Sequence, residues 1–159
     1  MNAVACSRIE LAMTALAHNQ SLITFVDGKA NSLLLMNSIF LATGAAAARS
    51  ALGLIGLSLA ALALLLCVAV IAARGVGLTC RDPARLVFYQ DILLRRSPGD
   101  YLADLRDQPE EAVLESTARQ VYGLAGIVER KFRAYRRAQH VTLLAAGTWV
   151  ANLLLPLLP

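Results

Sequence analysis

Charged positions divide the chain into long uncharged blocks. Nineteen uncharged residues separate Lys29 from Arg49, and 24 separate Arg49 from Arg74. The last 22 residues hold a single ionisable side chain, His140. A helix needs about 20 predominantly apolar residues to cross a bilayer. The pattern therefore predicts about three transmembrane helices, one for each block.

The three blocks differ in composition. The middle block is almost entirely Leu, Ala, Val and Ile, which is typical of a membrane-spanning helix. The first block contains Asn31 and Asn37 and ends in four alanines, so a buried helix of a soluble domain is an alternative for it. We favour a transmembrane hairpin, because only Arg49 and Ser50 separate the first block from the second.

The rest of the chain also has helical patterns. Residues 7–29 lead into the first block with no strong helix breaker, and Pro109 begins a pattern that continues into the third. Another helix is expected between Asp82-Pro83 and Ser97-Pro98. The predicted fold is an all-α integral membrane protein with a helical cytoplasmic segment. Its parts are an N-terminal cytoplasmic helix (1–29), a two-helix transmembrane hairpin (30–73), the cytoplasmic segment (74–138) and a third transmembrane helix (139–159).

The distribution of basic residues predicts the orientation. Twelve of the 15 Lys and Arg residues lie between positions 74 and 137. Basic residues favour the cytoplasmic side of a membrane. The N-terminus and residues 74–138 should therefore be cytoplasmic, and the C-terminus should lie outside. A composition that is 57% hydrophobic and 16% charged, with a mean hydropathy of +0.57, agrees with a membrane protein.

Polar residues interrupt an apolar stripe on the first predicted helix. The stripe recurs at steps of three and four: Ile9, Met13, Leu16, Gln20, Ile23, Asp27 and Ala30. A polar side chain in such a stripe needs a partner, or it costs about 1–3 kcal/mol. Two interpretations of Gln20 and Asp27 are open. They contact water near the headgroups, or they pair with the cytoplasmic helices or with a ligand.

Small and amide side chains within the blocks offer contacts between helices. Gly56 and Ala60 have the four-residue spacing that lets helix backbones approach closely, which favours self-association. Asn31 and Asn37 lie about 120° apart around a helix. They fit equally a hydrogen bond between helices and the lining of a polar path.

The chain has no pattern of residues that is typical of catalysis. His18 and His140 are the only histidines, and neither has the spacing of metal ligands. Asp27 and Lys29 are two residues apart and so face different directions on a helix. We therefore expect no enzyme activity, no metal and no cofactor.

A basic cluster precedes the third block, and it consists of Arg130, Lys131, Arg133, Arg136 and Arg137. Contact with anionic lipid is the default interpretation, since each basic residue near the surface contributes about 1 kcal/mol. Recognition of a small phosphate ligand is the second, because Arg offers bidentate geometry. A cluster beside a bilayer is poorly placed to follow a duplex, so nucleic acid is not an expected partner.

Three short segments follow one another along the chain in a distinctive order. The first is the Asp-x-Lys-Ala segment that leads into the first block, and the second is an aromatic pair after the hairpin. The third is a helix with a Tyr-x-Leu-x-x-Ile pattern followed by Arg-Lys-aromatic-Arg. Their residues are Asp27, Lys29, Ala30, Phe88, Tyr89, Tyr122, Leu124, Ile127, Arg130, Lys131 and Arg133. Together the three segments resemble the transmembrane effector family of the bacterial Pycsar anti-phage systems.

The resemblance implies a function. In that family a companion cyclase makes a cyclic pyrimidine mononucleotide, cCMP or cUMP, on infection. The effector then impairs the inner membrane, so that the cell dies before phage matures. The chain has no recognisable β-barrel nucleotide-binding domain, so its cytoplasmic helices would have to bind the ligand. The candidate contacts are Lys29, Phe88, Tyr89, Arg130, Lys131 and Arg133. Ligand-favoured homo-oligomers would damage the membrane. The alternative function is a constitutive membrane anchor that presents its helices to a protein partner.

Overall fold

In the computed structural model the described residues are 2–47, 50–72, 92–93 and 95–155, and they form helices, turns and bends. Four helices are defined there: α1 (Asn2–Ala47), α2 (Ala51–Ala72), α3 (Pro98–Asp107) and α4 (Glu110–Leu154). No strand occurs in this part of the chain. The all-α prediction is therefore confirmed. Most of the helix predicted between Asp82-Pro83 and Ser97-Pro98 lies outside the described residues.

The two long helices are continuous. α1 has 46 residues and α4 has 45. At about 1.5 Å per residue each is roughly 70 Å long, which is about twice the thickness of a bilayer core. Neither contains proline, and Pro109 and Pro156 lie just outside α4. The prediction that each polar helical segment continues unbroken into an apolar one is confirmed.

Serine side chains cap the beginnings of the shorter helices. The Ser50 hydroxyl accepts a hydrogen bond from the Gly53 amide at 2.9 Å, at the start of α2. The Ser97 hydroxyl accepts one from the Asp100 amide at 3.1 Å, at the start of α3. Serine is favoured at this position because its oxygen satisfies an amide that has no partner within the helix.

The chain divides into two compact units, and both long helices contribute to each of them. The first unit comprises Met1–Ser21 and Gly75–Gly126, and the second comprises Leu22–Arg74 and Ile127–Pro159. In the first unit, Asn19 donates to the Val121 carbonyl of α4. Arg95 pairs with Asp104 of α3 at 2.8 Å.

Contacts within the second unit define how its three helix segments run. Three pairs join α1 to α4, and their residue numbers rise together: Asp27–Lys131, Asn37–Thr142 and Phe40–Trp149. Three contacts join α2 to α4, and the numbers fall along α2 as they rise along α4: Val70–Lys131, Gly56–Thr148 and Ser50–Asn152. In this unit α1 and α4 are therefore parallel, and α2 is antiparallel to both.

The second unit buries small and polar side chains and exposes large apolar ones. Its fully buried residues include Ala30, Asn37, Ala60, Ala63, Cys67, Lys131, Ala138, Thr142 and Ala145. Its exposed residues include Leu35, Met36, Ile39, Leu54, Ile55, Leu62, Leu65, Leu143, Leu144 and Leu153. This distribution is the reverse of that in a soluble protein, whose large apolar side chains are mostly buried.

Only one helix of the described part is long and apolar enough to cross a membrane by length and composition, and that helix is α2. The predicted count of three transmembrane helices is therefore not confirmed by this criterion. The long helices differ from α2 because each combines an apolar segment with a charged one.

Candidate functional site within the second unit

An ion pair with a third partner joins all three helices of the second unit. The Lys131 ammonium donates to Asp27 Oδ1 at 2.6 Å and to the Val70 carbonyl at 2.7 Å. Lys131 is 3% exposed, whereas the Asp27 side chain is 31% exposed. Val70 lies in the last turn of α2, where backbone carbonyls have no partner within the helix. Lys131 therefore neutralises a carboxylate of α1 and caps α2.

Apolar side chains surround this ion pair. Val26, Ala30 and Val70 form a buried cluster, against which Phe132 and Tyr135 pack. This cover keeps water away from the lysine and leaves the aspartate partly accessible. Lowered access to water strengthens the attraction between the two charges and raises the cost of separating them.

A second polar contact lies in the interior of the unit. The Asn37 amide nitrogen donates to the Leu33 carbonyl and to the Thr142 hydroxyl, both at 2.8 Å. The Thr142 hydroxyl in turn donates to the Ala138 carbonyl at 2.9 Å. Asn37 is 0% exposed, and none of the described residues donates a hydrogen bond to its carbonyl oxygen. One buried acceptor therefore remains unsatisfied among apolar helices.

Polar groups also meet at the opposite end of the unit from the ion pair. The Ser50 hydroxyl donates to Asn152 Oδ1 at 2.6 Å. Thr148 lies against Gly56, where an added Cβ would come within 3.0 Å of the threonine hydroxyl. A shallow groove near these residues is lined by Phe40, Gly53, Trp149 and Asn152 among others. Small residues on α2 thus allow close approach to polar residues of α4.

The sequence identifies the family to which this arrangement belongs. A profile of the Pycsar effector protein domain matches residues 11–158, which is nearly the whole chain. The chain belongs to the Pycsar effector family. It is therefore a Pycsar anti-phage effector, as the resemblance implied. Comparison with curated proteins and with solved structures gave no match.

The residues predicted to bind nucleotide are not all on one face of the effector. Lys131 is buried and pairs with Asp27, whereas Arg130 and Arg133 are exposed. Arg133 pairs with Glu129 at 3.2 Å. Lys29 is also exposed, and its ammonium lies 5.4 Å from the centre of the Phe25 ring. Phe88 and Tyr89 lie outside the described residues.

Asp27 and Asn37 both have partners within the chain, while a ligand contact of Asp27 and a polar path lined by Asn37 stay predictions. Asp27 pairs with a residue of the basic cluster, Lys131, so its interruption of the apolar stripe has a partner. Asn37 makes the hydrogen bond between helices, while Asn31 is exposed. Thr142 and the Val70 carbonyl were not among the predicted residues. A threonine in an apolar helix gives little local signal, and a backbone carbonyl gives none.

The first unit of the effector has its own unpaired polar atoms. Ser116 and Gln120 lie one turn apart on α4, and both are buried. Within the part of the chain that the structure describes, the Ser116 hydroxyl and the Gln120 carbonyl oxygen have no hydrogen-bond partner. Arg95 of this unit packs over the Tyr101 ring at 5.5 Å in addition to its ion pair.

Proposed function

We propose that this Pycsar effector crosses the bacterial inner membrane with three helices and impairs that membrane when it binds cCMP or cUMP. The observation that carries the proposal is the burial pattern of the second unit, in which leucines face outward and alanine, threonine and asparagine face inward. Lipid solvates large apolar side chains, and small residues let helices pack closely within a bilayer. In water the same exposed leucines would form an unusually large apolar surface.

The length of the second unit supports a spanning arrangement. Its polar contacts lie at two ends, with Lys131 at one and Asn152 at the other. The 21-residue separation corresponds to about 32 Å along α4, close to the thickness of a bilayer's hydrocarbon core. Ser50, directly before α2, is 20 residues from Val70, or about 30 Å at the helical rise. We therefore place Asp27 and Lys131 at the cytoplasmic boundary and Ser50 and Asn152 at the outer one.

The nucleotide would bind on the cytoplasmic side, where its phosphate requires a cationic partner. We assign that role to the exposed Arg130 and Arg133, which lie three residues apart and share a helix face. Lys29 is a further exposed candidate. Lys131 is excluded from direct contact in this arrangement because its ammonium is already bound by Asp27 and Val70. An exposed pair such as Arg133–Glu129 is weak, so a phosphate can displace the glutamate.

A companion cyclase would supply the nucleotide, and the effector itself performs no catalytic step in this proposal. Binding drives a change only if the ligand prefers the membrane-impairing state over the resting one. If that state is a homo-oligomer, its contacts lie on the outward leucines. Ala60 is buried and Gly56 lies against Thr148 of α4, so this proposal does not place them in such contacts.

The proposal can be tested with purified effector in liposomes. We expect cCMP or cUMP, but not cAMP, to collapse an imposed ion gradient. Replacing both Arg130 and Arg133 with Gln should weaken the nucleotide response by at least about tenfold, the equivalent of roughly 1.4 kcal/mol of binding free energy. Arg119→Gln is the matched control, since Arg119 is an exposed arginine that pairs with a glutamate four residues earlier on the same helix.

Equal ion flux with and without each nucleotide would contradict ligand activation. Stable insertion without any flux would instead favour the constitutive membrane anchor. If the nucleotide response survives the double arginine substitution, Arg130 and Arg133 do not bind the phosphate. The proposal that the effector impairs the membrane would be unaffected.

A further inference from the structure

The unsatisfied oxygen of Asn37 is an unusual feature in the second unit. A carbonyl only accepts hydrogen bonds, so the Leu33 carbonyl fixes which side of the Asn37 amide carries the nitrogen. The oxygen on the other side receives no hydrogen bond from residues 2–47, 50–72, 92–93 or 95–155, although Asn37 is 0% exposed. Lipid offers no hydrogen-bond donor, so an unpaired acceptor in a membrane interior is costly. Polar side chains kept in such places are typical of ion and proton pathways.

Asn37 is one of a series of polar residues along the helix contacts of this unit. We call the series the polar interface, and it consists of Asp27, Asn37, Ser50, Lys131, Thr142, Thr148 and Asn152. Asn37 is ten residues from Asp27 on α1, and Thr142 is ten residues from Asn152 on α4. Each separation is about 15 Å. The Asn37–Thr142 contact therefore lies midway between the two polar ends.

We propose that the polar interface is the route by which water and small monovalent cations cross the membrane when the effector is activated. Asn37 and Thr142 form its central binding position, with the Asn37 oxygen accepting from water or coordinating a cation. The inference rests on the proposed function, because it names the path through which the membrane is impaired.

The described structure is the closed form of this route. Asn37, Ala138 and Thr142 are each at most 2% exposed, so the helices leave no passage at the centre. Small residues on either side hold the helices close. A modest separation of α1 from α4 would hydrate the Asn37 oxygen, and hydration would offset the cost of leaving it unpaired.

Substitution of Asn37 by Leu tests the route. The change removes the unpaired oxygen at similar size, and Thr142 keeps its bond to the Ala138 carbonyl. We expect nucleotide-dependent cation flux in liposomes to fall by about tenfold, as when one hydrogen-bonding position is lost from a rate-limiting barrier. Thr142→Val should act in the same direction.

Two matched controls test whether polar side chains of α1 outside the polar interface also affect flux. Asn31→Leu removes an exposed amide from the same helix. Thr43→Val removes an exposed hydroxyl that donates to the Ile39 carbonyl of the same helix. Both should retain wild-type flux. Thermal melting in detergent should show that Asn37→Leu is at least as stable as wild type, which ensures that loss of flux does not report misfolding.

Cys67 gives a second readout that does not depend on flux. It is fully buried on the inward face of α2, beside Ala63 and Val70. In a Cys6→Ser/Cys80→Ser background, a charged thiol reagent should label Cys67 only after nucleotide is added. Labelling follows because the route hydrates when it opens.

The possible outcomes decide between the two proposals. Loss of flux in Asn37→Leu, with nucleotide-dependent Cys67 labelling in the parent, supports the route. Undiminished flux in Asn37→Leu and Thr142→Val, or a Cys67 that stays unlabelled during flux, overturns the route but not membrane impairment. A parent protein without nucleotide-dependent flux overturns both.

Discussion

Lys131 joins three helices through one ammonium group. It neutralises Asp27 of α1, caps the last turn of α2 at Val70, and belongs to α4 itself. Buried ion pairs add little net stability compared with apolar residues of the same shape, but they penalise structures in which one charge lacks its partner. The pair therefore fixes which residues of α1 and α4 lie side by side more than it stabilises the unit.

Removing one charge of the Asp27–Lys131 pair should destabilise the protein more than removing both. We expect Lys131→Met to destabilise the protein on the order of 2 kcal/mol, because Asp27 loses its partner but keeps partial access to water. Asp27→Asn should also destabilise, since it leaves the nearly inaccessible ammonium without a negative charge to neutralise it. The Asp27→Asn/Lys131→Met double variant should be more stable than Lys131→Met alone. Thermal unfolding in detergent measures all three.

Lys29→Met is the control for this cycle, because Lys29 is exposed and two residues from Asp27. Its melting temperature should match that of wild type. Strictly additive losses in the double variant would show that Asp27 and Lys131 are not coupled.

For the contacts between α1 and α4, the sequence indicated the α1 residue more clearly than its partner on α4. Asp27 and Asn37 could be singled out because polar side chains interrupt an apolar pattern locally. Lys131 was grouped with the neighbouring arginines, since spacing alone does not say which basic residue turns inward. The pairing itself depends on how α1 aligns with α4, which joins residues more than 100 positions apart. Local pattern carries no information on that alignment.

The helices themselves were more predictable than their contacts. Continuity of α1 and α4 follows from the absence of proline, and the start of α4 follows from Pro109 and two glutamates at the positive end of the helix dipole. The use of the small residues differs from expectation. Gly56 and Ala60 favoured association between copies, but here they pack within one chain. A small-residue spacing indicates close helix contact without naming the partner helix.

Gly56 gives a prediction about helix packing. Its missing side chain leaves room for Thr148 of α4, whose hydroxyl would be 3.0 Å from an added Cβ. Gly56→Leu should therefore force α2 and α4 apart and destabilise the unit by roughly 1–3 kcal/mol. The measurement is thermal unfolding in detergent, and Gly56→Ala should show a much smaller loss.

Gly123→Ala is the opposite case within α4. No atom of the described residues lies within 4 Å of a Cβ added at Gly123. Alanine should stabilise the helix by about 0.5–1 kcal/mol, since glycine loses more backbone freedom on folding. If Gly56→Leu and Gly123→Leu change the free energy of unfolding equally, the contact between α2 and α4 at Gly56 is not close.

For the whole molecule, composition predicted a membrane protein, and the burial pattern gives that prediction a structural basis. The second unit keeps Asn37, Thr142 and Lys131 inside and presents leucines outside. For the first block the sequence left a buried helix of a soluble domain as an alternative, because length and hydropathy do not tell which face a residue occupies. The structure adds the exposure of each side chain, and α1 and α4 expose large apolar residues as α2 does, which is the observation that supports the proposal of three spans.

The arrangement in the membrane yields the last prediction. If the basic residues are cytoplasmic and three helices span, Ser50 lies at the outer boundary and Glu115 in the cytoplasm. In a cysteine-free background, Ser50→Cys should react with an impermeant thiol reagent added to intact spheroplasts, whereas Glu115→Cys should react only after lysis. Glu115 is exposed in the structure, so its protection would come from the membrane rather than from burial. If Glu115→Cys reacts in intact spheroplasts, the orientation is the opposite of the one proposed. Protection of both sites in intact cells, with both reactive after lysis, would mean that the helices do not span.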